Sequence, residues 1–75
     1  MLQAVLFYRY FWNPTRAREH LEKENIKPIK RVRITDRYYR YRITEPDYVN
    51  YNYIIKRGKD HIDYIIGIKK EFPKK

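Results

Sequence analysis

The spacing of apolar residues changes period along this chain, and the changes mark out its elements. From Leu2 to Trp12 nearly every position is apolar, which is the pattern of a central strand buried on both faces, or of a strand whose second face meets another subunit. Asn13-Pro14-Thr15 then starts a helix. Asn13 can cap the free backbone N–H groups, and Pro14 at the first helical position loses no hydrogen bond. Ala17 and Leu21 form a thin apolar stripe with His20 beside it, and Glu19 and Lys23 make a favourable pair four apart. Asn25 tolerates the left-handed conformation that stops a helix, and Pro28 forces Lys27 to be extended. A helix is predicted from Pro14 to Glu24.

Beyond Pro28 the period falls to two. Lys30–Thr35 and Tyr38–Ile43 alternate like half-buried strands on either side of Asp36-Arg37. A two-residue loop there sets Thr35 opposite Tyr38, Ile34 opposite Tyr39 and Val32 opposite Tyr41. The other face then opposes Arg33 to Arg40 and Arg31 to Arg42. A four-residue loop keeps these partners, whereas a slip of one residue scrambles both faces. Glu45-Pro46-Asp47 reads as a turn into a second hairpin. Gly58-Lys59, with glycine first, suits a type II′ loop that opposes Ile55 to Ile62, Tyr53 to Tyr64 and Tyr51 to Ile66. The predicted fold is α+β, in the order β-α-β-β-β-β. It is a single antiparallel sheet of about five strands with one helix on its apolar face, a compact domain over residues 1–68 followed by a basic, flexible tail over 69–75.

Composition sharpens the picture. With 75 residues and no cysteine, the chain lies near the lower limit for a self-sufficient core and has neither disulfides nor a cysteine-zinc site to support it; nine tyrosines supply the bulk. A dimer that buries more surface is a second remedy. The net charge of +9 implies a polyanionic partner, nucleic acid or acidic membrane, and the abundance of Lys, Arg, Glu, Ile and Tyr resembles a thermophile's usage. No apolar run is long enough to span a membrane, and a basic amphipathic helix for membrane surfaces is missing. Leu2–Trp12 lacks a basic start and a small-residue cleavage site, and it carries Arg9 inside, so it is not read as a signal peptide. The expected location is intracellular.

The arginine face is the candidate site. Like charges directly opposite on a sheet are destabilising, so Arg31, Arg33, Arg40 and Arg42 on one patch imply a cost offset by an anionic partner. A guanidinium fork matches phosphate oxygens and guanine edges. Tyr38 projects on the same face and can stack on a base, with Lys56, Lys69 and Lys70 as outer contacts. The signal is generic: the aromatic-glycine and Gly-x-x-Gly signatures of RNA-binding families are missing. Tyr39, Tyr41, Tyr53 and Tyr64 fall on predicted core faces and read as packing. Catalysis has little to stand on. His20 and Glu24 are one turn apart without a third metal ligand, and Asp60, His61 and Asp63 are explained by turn polarity. Pro46-Asp47 resembles the start of a nuclease motif, but Ile54-Ile55 precedes Lys56 where the second carboxylate is needed. The expectation is a non-enzymatic protein without cofactor or metal.

Pro14–Leu21, Ile26-Lys27-Pro28-Ile29-Lys30, Tyr38-Tyr39-Arg40-Tyr41-Arg42-Ile43, Pro46, Tyr48 and Ile62–Gly67 together are similar to a small module of virus and phage proteins, some copies of which accompany head-morphogenesis genes. The resemblance covers about four fifths of the chain. It departs at His20-Leu21, where an aromatic often sits, and at Asn25, where glycine is common. It implies a viral or mobile-element origin, hence the host cytoplasm, and no particular activity. Two functions follow as expectations. The first is nucleic-acid binding, DNA favoured, through the arginine hairpin. The alternative is a virion-structural or assembly module acting by protein–protein contact or by homodimerisation through the N-terminal strand.

Overall fold

The computed structural model describes residues 1–71. Its elements are β1 (Leu2–Tyr8), α1 (Pro14–Lys23), β2 (Arg33–Ile34), β3 (Tyr38–Arg42), β4 (Tyr51–Arg57) and β5 (Ile62–Lys69). The strands form one antiparallel sheet in the order β2-β3-β1-β5-β4, so the nearly all-apolar segment is the central strand. The predicted α+β fold with a single helix is the one observed. Its overall extents are 50 × 20 × 19 Å.

The helix is built as its sequence dictates. Asn13 Oδ1 accepts a hydrogen bond from the Arg16 N–H at 2.8 Å, and Asn25 closes the other end at a φ of 57°. Ala17 and Leu21 face the sheet and pack with Val5, Phe7, Tyr41 and Ile62. Phe7 is the hub, edge-on to Trp12 at 5.0 Å, to Tyr41 at 5.5 Å and to His20 at 5.9 Å. His20 thus belongs to the aromatic packing. The Tyr41 hydroxyl donates to the Pro14 carbonyl at 3.2 Å and ties the sheet to the start of α1.

Three expectations need correction. The strand β1 stops at Tyr8, not at Trp12: the chain turns there, and the N–H groups of Phe11 and Trp12 both donate to the Tyr8 carbonyl. Trp12 remains useful outside the strand because its indole N–H donates to the Asp60 carbonyl at 2.8 Å. Secondly, the second hairpin has a longer loop. Arg57 opposes Asp63, Gly58 N–H donates to the Ile62 carbonyl, and Lys59-Asp60-His61 make the turn, with φ near 60° at Asp60 (58°) and at His61 (60°). Gly58 has no positive φ; it is there for space, since a Cβ would fall 2.5 Å from the Tyr64 ring. Ile55 therefore meets Ile65 and Tyr53 meets Gly67, an odd shift that sends Tyr51, Tyr53 and Ile55 to the face opposite Ile62 and Tyr64. Thirdly, Lys69 ends β5 instead of opening a tail; residues 72–75 of that predicted tail lie outside the described residues.

Candidate functional site

The first hairpin closes as its pattern demands. Thr35 N–H donates to the Tyr38 carbonyl at 2.9 Å and Tyr38 N–H to Thr35 Oγ1 at 3.0 Å, across the two-residue loop Asp36-Arg37. Arg33 opposes Arg40, and Ile34 opposes Tyr39. Below Arg33 the ladder departs from expectation. Arg31 does not pair with Arg42; Ile29 N–H donates to the Arg42 carbonyl at 2.9 Å, so Lys30–Val32 are looped out and β2 is only two residues long. Ile34 lies on the predicted core face but is 59% exposed, because α1 packs over β1, β3 and β5 and does not reach this edge.

The loop-out shapes the site. Lys30, Arg31, Arg33, Arg40 and Arg42 line one concavity of about 200 Å³ on the sheet face away from α1. Arg31 and Arg33 are exposed, whereas Arg40 and Arg42 are half-buried. Among the described residues the ion pairs are Lys30–Glu45 at 3.1 Å and Arg42–Glu45 at 3.4 Å, so one carboxylate serves the whole group.

Arg40 is held from behind by an irregularity in β1. The register of β1 on β5 shifts between Leu2 and Ala4, making Gln3 an extra, bulged residue. Gln3 is buried on the arginine face, where its Oε1 accepts from Arg40 Nη2 at 3.4 Å and its Nε2 donates to the Thr44 carbonyl at 2.9 Å. The Nε of Arg40 is buried and has no hydrogen-bond partner among the described residues. A buried guanidinium N–H without a partner is costly.

The remaining predicted contacts spread apart. Tyr38 shares the arginine face but lies outside the concavity, edge-on to Tyr8 at 5.4 Å with its hydroxyl donating to Asp63 Oδ2 at 2.9 Å. Lys56 opposes Tyr64, a core-facing residue, and so projects on the helix side of the sheet. Lys69 pairs with Tyr51 at the end of β5, and the Lys70 ammonium is 2.7 Å from the Tyr48 carbonyl. None of these lysines joins the arginines. Lys30, Glu45 and Gln3 were not read as site residues from the sequence. Gln3, the one polar residue among Leu2–Phe7, carried the available signal.

The hydrogen bond to Asp63 is the largest of the influences that raise the Tyr38 phenol above its ordinary 10.0, followed by burial. The folded chain thus holds this proton to higher pH than the unfolded chain does. That contribution is full below about pH 10 and fades as pH climbs through the folded value. Tyr38→Phe is expected to flatten part of the loss of stability above about pH 10, read as the urea midpoint against pH. An unchanged alkaline profile would show that the Tyr38–Asp63 bond does not hold in solution.

Among the described residues no group of three His, Cys, Asp or Glu side chains is placed to hold a metal ion, and no helix is long and apolar enough to cross a membrane. Comparison of the chain with family models, with curated proteins and with solved structures found no match.

Proposed function

We propose that this chain is a small non-enzymatic protein that binds nucleic acid, DNA foremost, by seating backbone phosphates in the arginine concavity. One observation carries the reading: five cations, Lys30, Arg31, Arg33, Arg40 and Arg42, converge on one opening, and among the described residues Glu45 is the one carboxylate paired with them. Such an arrangement is unfavourable alone and becomes favourable when an anion enters. Guanidinium groups retain their charge at every physiological pH, and their fork geometry fits phosphate oxygens. The resemblance to virus and phage modules supports an origin in a virus or mobile element. Assembly through the N-terminal strand has less support, because β1 is paired along both edges and its Ala4 and Leu6 are already buried on the face away from α1.

The test is a fluorescence-anisotropy titration with duplex DNA, single-stranded DNA and RNA at several salt concentrations. Four arginine–phosphate contacts predict a slope of roughly −3.6 in log K against log salt on duplex DNA. A flat salt dependence, or no binding at low salt, overturns the proposal. The ranking of the three probes identifies the nucleic acid.

A further inference from the structure

No described residue covers the outer edge of β4, in a fold that protects its other edge. Edge strands are normally short, charged, bulged or covered, because their free N–H and C=O groups template pairing with another chain. The β2 edge obeys this rule: it has two residues, one of them Arg33, and a loop-out directly before it. By contrast β4 is seven residues long, Tyr-Asn-Tyr-Ile-Ile-Lys-Arg, without proline and in unbroken register with β5. No β4 residue packs against the core cluster under α1; Ile54 is 47% and Ile55 65% exposed.

The direction of the free backbone groups can be read from its ends. Gly58 N–H donates to Ile62 and Lys70 N–H to the Asn50 carbonyl, so even-numbered residues of this strand bond inward to β5. Alternation then turns the N–H and C=O groups of Tyr51, Tyr53, Ile55 and Arg57 outward, where the Tyr51 N–H is already taken by the Asp47 carbonyl at 3.0 Å.

We infer that β4 pairs antiparallel with β4 of a second copy of this chain, about a twofold axis at Ile54. Centring on Ile54 brings every residue of the strand opposite one of its copy, with the Tyr51–Arg57 pair limited to the bond from the Arg57 N–H to the Tyr51 carbonyl, since the Tyr51 N–H is held by Asp47. Tyr53 meets Ile55 of the other copy, Tyr51 meets Arg57, and Asn52 meets Lys56. The outward-facing odd residues thus bond to one another, while Ile54 meets itself in a close pair without backbone hydrogen bonds, with Cα atoms about 4.5 Å apart. The charge pattern selects this arrangement. Both cations of the strand, Lys56 and Arg57, lie at one end and both tyrosines at the other. Antiparallel pairing brings each cationic end onto a tyrosine end, placing Arg57 beside an aromatic ring and no like charges opposite each other. Parallel pairing would align the cations. The contact also covers Ile54 and Ile55, a gain that matters for a domain of 75 residues, and being isologous it closes at two copies.

The test needs no nucleic acid. Sedimentation equilibrium of the full chain at about 0.5 M salt, where surface charge interactions are screened, is expected to show a mass rising from 9.5 kDa to twice that with concentration. Ile54→Lys sets two ammonium groups together on the axis and is expected to weaken association by roughly a hundredfold. Ile54→Cys, the only cysteine in its chain, is expected to form a disulfide-linked dimer on mild oxidation, since the two Cα atoms fall within disulfide reach. Cysteine at the distant Arg33 is the control and is expected to remain uncrosslinked. A chain that stays at 9.5 kDa to millimolar concentration overturns the inference. So does an Ile54→Lys variant that still dimerises, or an Ile54→Cys variant that links no faster than the Arg33→Cys control.

Discussion

Phe7→Ala is expected to cost the chain about 3–5 kcal/mol of stability. Phe7 is fully buried and touches Trp12, His20 and Tyr41 edge-on, joining α1, the turn after β1 and the centre of the sheet. Truncating a buried phenylalanine costs about 3–5 kcal/mol through lost transfer energy and the cavity left behind. A 75-residue domain has a total stability of roughly 4–11 kcal/mol, at the rate typical of small proteins, so this one substitution removes from about a quarter to all of it. Collapse around the gap is restricted because the neighbours are rings fixed by other contacts: Trp12 by its bond to Asp60, Tyr41 by its bond to Pro14. Urea denaturation followed by circular dichroism measures this directly. A loss below about 1.5 kcal/mol, the range of a volume-conserving core change, would mean that the aromatic cluster is not the centre of the fold. Phe7→Leu, which keeps most of the volume, is expected to remain folded.

The double substitution Arg33→Met, Arg40→Met is expected to do the reverse of most mutations, raising stability while removing function. These residues oppose each other in the β2–β3 ladder, and like charges so placed repel. Arg40 carries a second cost, its buried Nε without a partner among the described residues, which is set against the long 3.4 Å contact to the buried Gln3 Oε1 that methionine gives up. Methionine keeps the long aliphatic stem that covers the sheet and discards both charges. A gain of about 1 kcal/mol would raise the melting temperature by roughly 4–8 °C in a domain of this size. Losing two charge-assisted phosphate contacts would weaken DNA binding by about a hundredfold and halve the salt slope to roughly −1.8. Measuring both quantities on one preparation separates the explanations. If the melting temperature falls, the arginines support the fold. If melting temperature rises and affinity is unchanged, DNA binds elsewhere.

How far the sequence reveals this architecture depends on the kind of signal each element carries. The first hairpin was legible because only one register separates its arginines from its apolar residues, and Arg33 and Arg40 do meet. The helix was legible from Asn13, Pro14 and Asn25, whose conformational preferences act locally. The second hairpin misled for an equally physical reason. Its tyrosines and isoleucines fit either face, so the apolar pattern left the register to the turn, and Gly58 invited a two-residue loop. The actual turn puts Asp60 and His61 in the left-handed region, with the loop fixed by contacts remote in sequence: Trp12 bonds to Asp60, and Phe11 stacks on His61 at 3.6 Å. The concavity was half legible. Its arginines follow from alternation, but the loop-out that brings in Lys30 and the bulge that aims Gln3 at Arg40 are irregularities, which periodic reasoning passes over.

The position of β1 also governs the route by which the sheet is completed. Each hairpin is made of near neighbours in the chain, yet the two never touch along their lengths; β1 lies between them, and Met1 just before it donates from its amino group to the Gly67 carbonyl across a separation of 66 residues. Contacts of that span demand loop closure before they contribute anything. The hairpins can therefore flicker in and out as local units, while the molecule gains its cooperativity in one late step, when β1 inserts between them and α1 packs over the joined face. A chain built this way has a folding speed set by its central strand and a melting transition that both ends share.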